Sequence, residues 1–547
     1  MGQLFPIKMP PGMFRNGTEY ESAGRWFDGN LVRWENGRLK PIGGWQALLA
    51  ASAPPLQGVA RGGLAFTDNF GFPYTLIGTN SNLYIGEGGA FSDVTPVGFV
   101  AGRVDSILGA GYGAGTYGTS TYGTPRAAST LPLIAATWQM DTFGNTAVMV
   151  QSTDRKLYQF DPATGLVTVP AGSPTCVAVF TTNEDFLLVI GAGGVGRKIQ
   201  WPDIGTTTIW TPSDVNSAGD IDLNTQGLGM AGARVGLQNL VWTTTDVHLV
   251  NYVGQPAIYA PIRIGTACGL IGPRAWAVAA SGVGAGEAAY WMSPGGFFTY
   301  TGTVTPLPCE VQDFLWANIN FTQAAKIYAS PNSRFHEIIW FFPSLNSQEV
   351  DSYVMYNYKD NIWYFGLQSL LARTTYIDLG ALPLPVGVAP PFAATDTFYV
   401  AEDGVTFYVA EDGISSYVSG VGGSSANSVI YEHETGVLAN GASRVGHIFV
   451  QSGPFEIGNG DQVIYSNMML IDGDNITDST LTMTPQGRLN PQSPVMAADP
   501  IACLPNAEGY TPVRFSGRQI ALRFDAAKDK AWSLGKFRLN VVGGSKR

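Results

Sequence analysis

The chain has 547 residues, 45% of them hydrophobic, and a formal net charge of −11 at pH 7. Its length exceeds what one compact core usually fills, so we expect two or more domains or one large domain built from repeats. The acidic net charge and the absence of a clustered run of Lys and Arg argue against a protein that binds nucleic acid through its phosphates.

The first 56 residues form an N-terminal hairpin segment in our prediction. The stretch NLVRWENGRLKPIGGW, residues 30–45, reads as strand, turn and strand, with Asn36-Gly37 at the turn. Asn-Gly favours the two positive φ angles that a tight hairpin turn needs. The opening residues lack the basic and then apolar stretches of a secretory signal. We therefore expect the chain to be made and folded in a cytosol.

Residues 57–390 are predicted to form a β-propeller-like core. The chain holds 68 Gly and 34 Pro, which separate short apolar runs. Residues 74–97 give a strand, a polar turn, a Leu-Tyr strand, a Gly turn and a short strand, and residues 145–170 and 288–308 repeat that order. Recurrence of such units, about six in all, is typical of radial β repetition. Two stacked sandwiches are the alternative.

Two stretches within this core differ from the strand pattern. Residues 109–126 interleave Gly and Tyr and cannot bury one face, so they predict a long surface loop, either a docking surface or an extended solvated segment. Near 311–319, apolar residues recur at helical spacing, which predicts one short helix in an otherwise all-β chain; these residues are Val311, Phe314, Leu315 and Ile319.

Residues 391–547 are predicted to be a C-terminal β-rich region whose strands are candidates for closing the propeller. FYVAEDG occurs at residues 398–404 and again at 407–413. Two Asp-Gly turns nine residues apart predict a three-stranded meander over residues 397–418. A tandem duplication in a tolerant loop would give the same pattern.

The sequence brings no convergent set of reactive side chains to one motif. We therefore predict no catalytic, cofactor-binding or metal-binding residues and expect a protein that is not an enzyme. A glycosidase needs two carboxylates at a defined separation, and none of the candidates stands out by spacing; they are Glu310, Asp313, Glu337, Glu349 and Asp351. The carboxylates of residues 347–351 are expected to solvate a turn.

Other metal-ligating residue types are also poorly arranged. In a strand, Glu432 and Glu434 would point away from His433. The aspartates of residues 472–478 lack the Gly and the terminal Glu of a calcium loop. The four Cys residues are far apart and are expected to be buried thiols.

Charged residues make up only 13% of the chain, about half the usual share of roughly 25%. With 13 Trp, 23 Tyr and 28 Phe, this favours a surface that other subunits cover. The alternative is that large β proteins are often poor in charge.

Several segments, taken in order, resemble the distal tail tube, or nozzle, proteins of short-tailed (podovirus-type) bacteriophages. They are NGTEYESAGRWFDGNLVRWENGRLKPIGGW (16–45), the Gly/Tyr loop, WPDIGTTTIWTPSDVNSAGDIDL (201–223), YWMSPGGFFTYTG (290–302) with LPCEV (307–311), YNYKDNIWYFG (356–366), IYEHETG (430–436) and residues 517–541. They are spread over most of the chain.

This resemblance implies a structural virion protein at the distal tail. Six copies would form a ring below the tail adaptor ring, with tail fibres or spikes around it and the host envelope at its tip. Double-stranded DNA would pass through a negatively charged channel without specific binding, because an anionic lining repels phosphate. The resemblance carries over no catalytic residue and no cofactor. A receptor-binding module for host saccharide and a propeller glycoside hydrolase are the alternatives.

Overall fold

The computed structural model describes residues 3–49, 55–107, 133–282, 286–389, 427–456, 462–476, 478–490 and 492–543. The Gly/Tyr loop predicted at 109–126 and the meander predicted at 397–418 lie outside these residues.

The N-terminal part supplies six strands to three different sheets. They are β1 (Gln3–Ile7), β2 (Trp26–Asn30), β3 (Val32–Glu35), β4 (Arg38–Pro41), β5 (Trp45–Ala47) and β6 (Leu56–Gln57). The predicted hairpin is β3–β4, and its turn residues Asn36 and Gly37 have φ angles of 51° and 75°.

In the part of the chain that the structure describes, six four-stranded antiparallel sheets follow, each with its strands in sequence order. Blade 1 contains β7 (Ala60–Thr67), β8 (Pro73–Thr79), β9 (Leu83–Glu87) and β10 (Ala90–Asp93), and blade 2 contains β11 (Trp138–Phe143), β12 (Thr146–Gln151), β13 (Leu157–Asp161) and β14 (Leu166–Thr168). Blade 3 contains β15 (Ala178–Thr181), β16 (Leu187–Ile190), β17 (Lys198–Trp201) and β18 (Gly219–Asp222), and blade 4 contains β19 (Gly229–Val235), β20 (Gln238–Thr243), β21 (Asp246–Gly254) and β22 (Ile258–Thr266). Blade 5 contains β23 (Trp276–Ala280), β24 (Glu287–Ser293), β25 (Gly296–Tyr300) and β26 (Val304–Leu307), and blade 6 contains β27 (Tyr328–Asn332), β28 (Glu337–Phe342), β29 (Ser352–Asn357) and β30 (Ile362–Gly366).

Blade 7 joins strands from two distant parts of the chain. It contains β31 (Thr375–Ile377), β32 (Val386–Ala389) and β33 (Asn427–His433), and its fourth strand is β5 from the N-terminal part. β6 pairs with the other end of β33. The first strand of each blade packs against the next blade, and β31 returns to β7, so seven blades close into a ring within the described residues.

The fold is therefore all-β with a β-propeller-like core, as the sequence predicted. We call the end of the ring where the first strand of each blade begins the top face, and the other end the bottom face. Large aromatic side chains fill the space within and between blades. Trp242 of blade 4 stacks on Trp276 of blade 5 with ring centroids 5.3 Å apart.

One α-helix, α1 (Gln312–Asn318), occurs among the described residues, which confirms the short helix predicted near 311–319. Leu315 within α1 and Val311 at its N-cap are fully buried. The described residues also contain four short 3₁₀ helices, at Glu19–Ser22, Ala192–Gly194, Phe321–Lys326 and Ser333–Phe335. No helix in the described ranges is long and apolar enough to cross a membrane.

Two further sheets form a sandwich beside the ring. The C-terminal part supplies β34 (Phe449–Ser452), β35 (Phe455–Glu456), β36 (Ile464–Asp474), β37 (Leu481–Arg488), β38 (Met496–Ala497), β39 (Ile501–Ala502), β40 (Thr511–Gly517), β41 (Gln519–Ala526) and β42 (Ser533–Gly543). One sheet has the order β3-β4-β42-β36-β40, with β1 also on β42, and the other the order β2-β34-β41-β37-β38. Phe524 and Phe537 join the two sheets with ring centroids 5.4 Å apart.

Strands from both ends of the chain thus share each sheet of the sandwich. The sandwich packs against blade 6, where Met13 donates to the Trp363 carbonyl at 2.7 Å and Leu31 to the Tyr353 hydroxyl at 2.9 Å. It reaches the end of blade 7 through Arg33, which lies 2.7 Å from Glu434, the residue after β33. The division of the chain into residues 1–56, 57–390 and 391–547 stays a prediction, and the sheets described here cross both of its boundaries.

Candidate functional site

Charged side chains meet at the centre of the ring on its top face. We call this set the central network: Arg61, Asp105, Arg274, Lys326 and Glu349. Arg61 lies in β7, Arg274 and Lys326 directly precede the first strands of blades 5 and 6, and Glu349 lies in the turn between β28 and β29. Closure of the ring brings them together, because each lies at the top end of a blade or, for Asp105, in the connection after blade 1.

Glu349 is the acceptor at the middle of this network. Arg61 donates from both terminal nitrogens to the two carboxylate oxygens of Glu349, at 2.7 and 2.6 Å. Lys326 Nζ lies 2.5 Å from Asp105 Oδ1 and 3.5 Å from Glu349 Oε2. Arg274 donates to the Arg61 carbonyl at 2.8 Å. Such bidentate Arg–carboxylate pairs hold a defined geometry.

Hydrogen bonds pass over the centre of the ring beside this network. Gln139 of blade 2 donates to the carbonyl of Pro273, which precedes blade 5, at 2.6 Å. These blades are three positions apart in the ring, so the bond spans its axis. Gln323 and Ser106 form two further bonds, of 2.8 and 2.9 Å. Protein groups therefore occupy the ring centre at the top face.

Electrostatics keep the network ionised. Burial disfavours the Glu349 carboxylate, but the charges of Arg61 and Lys326 outweigh this effect and lower its pKa to about 2. Burial lowers the pKa of Lys326 and lowers that of Arg274 to about 10. A general acid or base needs a pKa near the working pH. Glu349 is instead a constant negative charge, suited to holding neighbouring segments in place.

A second buried network joins the sandwich to the ring. Arg33 of β3 lies 3.0 Å from Glu337 Oε1 and 2.7 Å from Glu434 Oε1, and Tyr364 donates to Glu337. Arg33 and Glu337 are almost fully buried. Burial raises the pKa of Glu337 to about 7, although Arg33 and Tyr364 oppose this shift. We call Arg33, Glu337, Glu434 and Tyr364 the junction network.

The other sequence candidates lie apart from one another. Glu310 pairs with Arg25 at 2.6 Å, and Asp351 accepts from the Ser344 hydroxyl at 2.6 Å. The α1 residue Asp313 donates its backbone N–H to Asn16. Thus Glu349 and Asp351 do more than solvate a turn, which corrects the expectation for residues 347–351. The reason is long-range: Arg61 reaches Glu349 from another blade.

The remaining polar motifs also take separate partners. His433 is buried and accepts from Arg373 Nε at 2.8 Å, while Glu434 turns to Arg33. Asp474 pairs with Arg38, and Asp478 with Lys530. Across the described ranges, no three His, Cys, Asp or Glu side chains are grouped closely enough to hold a metal ion. All four Cys residues are buried free thiols, as predicted.

Sequence reasoning did not single out Arg61, Asp105, Arg274 or Lys326. The one usable signal was Lys326, a lone cation in the apolar stretch AAKIYAS, residues 324–330. A lysine there is expected to be buried and therefore paired. Its partners come from distant turns that carry no shared motif.

Comparisons with known proteins found no matching family model and no matching curated protein. Solved structures with similar folds include a virginiamycin B lyase from Staphylococcus aureus, at 8% identity over 61% of this chain and 92% of that chain, with a TM-score of 0.33. An α-L-arabinanase from Penicillium chrysogenum matches at 10% identity over 59% and 99%, with a TM-score of 0.29. A glycoside hydrolase matches at 9% identity over 91% and 99%, with a TM-score of 0.24.

The sequence-based prediction that this chain is not an enzyme is wrong as it was drawn. It took the absence of a catalytic motif from a propeller-like sequence as sufficient, and the three matched structures are enzymes. At this level of identity the likeness concerns the fold alone.

Proposed function

We propose that this chain is a structural tail protein of a short-tailed bacteriophage, whose copies assemble side by side into the ring of the distal tail tube. The order of sequence segments that resembles nozzle proteins supports this proposal, together with a charged fraction of only 13%. A hexamer between the tail adaptor and the host envelope is the assembly that this resemblance implies.

The observation that carries the proposal is the apolar surface that a single copy leaves in water. Three turns on the bottom face, in blades 1, 3 and 4, place large apolar side chains outward: Phe70 is 81% exposed, Val215 93% and Leu237 87%. On a protein poor in charge, large apolar side chains exposed on one face are suited to contact with other proteins. Neighbouring copies are the simplest partners.

In this proposal DNA passes between subunits and not through the propeller. The hydrogen bond from Gln139 to Pro273 and the Arg61–Glu349 pair occupy the ring centre. A channel enclosed by several copies would be lined by their outer surfaces, and a chain of net charge −11 provides a lining that repels phosphate. The closed ring centre then serves to make each subunit rigid.

The test is to purify the full chain and measure its mass by native mass spectrometry, with single-particle imaging of the same sample. We expect six copies around an open channel, and a mobility shift assay in which duplex DNA stays unbound. A monomer at all concentrations that hydrolyses a saccharide would contradict the proposal, and so would a complex that holds duplex DNA tightly.

A further inference from the structure

Charge is unevenly divided between the two parts of the molecule. The segments that build the sandwich, residues 1–47 and 448–547, contain sixteen Lys and Arg and thirteen Asp and Glu. The intervening residues 48–447 contain fifteen and twenty-nine. The sandwich segments therefore carry a net charge of +3 and the rest of the chain −14. Surfaces of opposite sign on one molecule attract when two copies meet.

The sandwich has a groove in which this positive charge meets apolar side chains. β1 and β4 pair with the same side of β42, through Ile7 with Phe537 and Leu39 with Leu534, and the groove opens between these two pairings. It measures about 590 Å³ and continues into an adjoining space of about 530 Å³.

Basic side chains surround this groove more densely than acidic ones. Lys8, Lys536 and Arg538 are exposed along it, and the carboxylate of Asp472 is also in its lining. Arg38 lines it as well and is paired with Asp474 at 2.8 Å. We call this the cationic groove. Its mixture of an apolar floor and basic rim suits a partner segment that is both acidic and apolar.

A segment with these properties lies in blade 3. The connection from β17 to β18, together with β18, exposes Asp214 and Asp222 and holds Val215 at 93% and Ile204 at 52% exposure. β18 is the last strand of its sheet, so these side chains lie at the outer rim of the ring. We call this the acidic rim.

The two surfaces lie on opposite sides of the molecule. The sandwich packs against blade 6 and reaches the end of blade 7, and blade 3 is three blades away from either. A contact between unlike surfaces leaves one of each free at both ends, so it repeats from copy to copy, and it closes into a ring where successive copies are rotated by a fixed fraction of a full turn. We propose that the cationic groove binds the acidic rim of a second copy of this chain. The inference rests on the proposed ring assembly and names the surfaces that build it.

Charge reversal tests this contact in the full chain. Lys536→Glu with Arg538→Glu places like charges against the acidic rim, and Asp214→Lys with Asp222→Lys does the same from the other side. Each pair should raise the apparent dissociation constant of the oligomer at least about tenfold at low salt. The matched controls are Arg514→Glu on β40, at the far edge of the same sheet, and Asp93→Lys at the top end of blade 1, which should assemble as the unmodified chain does.

Mixing the two reversed variants separates a lost contact from a damaged fold. The acidic groove of one variant then faces the basic rim of the other, so assembly should return in the mixture, as seen by native mass spectrometry. If both variants assemble like the unmodified chain, the proposed contact is wrong while ring assembly stands. If the mixture stays dissociated although both variants show unchanged thermal midpoints, the contact is also wrong. An unmodified chain that is monomeric at every concentration would overturn ring assembly itself.

Discussion

Arg61 and Glu349 are 288 positions apart in sequence and join blade 1 to blade 6 through two hydrogen bonds, past the blade between them. Blade 7 is the one completed by the N-terminal strand β5. The ring is therefore closed twice, by strand pairing within blade 7 and by this ion pair over the top of it. Both closures depend on residues that are distant along the chain.

Arg61→Ala should destabilise the protein strongly. Arg61 is only 2% exposed, and its loss leaves the Glu349 carboxylate with Lys326 alone. Breaking one partner of a buried ion pair costs about 3 kcal/mol. Urea denaturation followed by intrinsic fluorescence measures the change in midpoint. As a control, Arg38→Ala removes the exposed pair with Asp474 and should cost less than about 1 kcal/mol. Equal losses in both variants would contradict a structural role for the network.

Acid should weaken the fold through Glu349. Its pKa is lowered from 4.5 to about 2 in the folded protein, where Arg61 and Lys326 outweigh the effect of burial. The stabilisation is complete above the unfolded value and is lost as the pH falls through about 2, because the unfolded chain takes up its proton first. The unfolding midpoint of Glu349→Gln should depend less on pH between about 4.5 and 2. Glu87→Gln, at the exposed end of β9, should keep the full dependence.

The strand order of the blades follows from local sequence, whereas the networks do not. The Leu-Tyr strands at residues 83–84 and 157–158 and the Asn36-Gly37 turn are set by apolar alternation and turn residues, which neighbours in sequence determine. In blade 3 the long connection between β17 and β18 interrupts the repeated pattern of strands and turns. Arg61 carries no local signal for Glu349. Such a pair follows only from how the ring closes.

The pairing of distant strands in the sandwich likewise does not follow from local sequence. β3–β4 is a hairpin that its own turn specifies, but its neighbour β42 is the last strand of the described chain. Nothing in residues 32–41 indicates which distant strand pairs with them. The helix α1 is the opposite case, since the apolar positions that predict it lie within nine residues, from Val311 to Ile319 at its two ends.

The junction network should behave as a coupled unit. Arg33→Met would leave Glu337 and Glu434 facing each other without a cation, which should cost about 3 kcal/mol. Glu337→Gln in the same chain removes one of the two carboxylates and should recover part of this loss. A double-mutant cycle from urea denaturation then gives a coupling energy of at least about 1 kcal/mol. Strictly additive effects would show that Arg33 does not stabilise the Glu337 carboxylate.

Substitutions on the bottom face should weaken assembly more than substitutions on the top face. Leu237 is 87% exposed in a bottom-face turn, and Val97 is 106% exposed in the top-face connection after blade 1. Leu237→Asp places a charge where a neighbouring copy would cover an apolar side chain, so it should shift the oligomer toward monomer at least about tenfold, with an unchanged free energy of unfolding. Val97→Asp, equally exposed, is the matched control and should assemble normally. Sedimentation velocity at several concentrations measures both. If Val97→Asp dissociates the assembly and Leu237→Asp does not, copies meet through their top faces, and the arrangement proposed here is wrong.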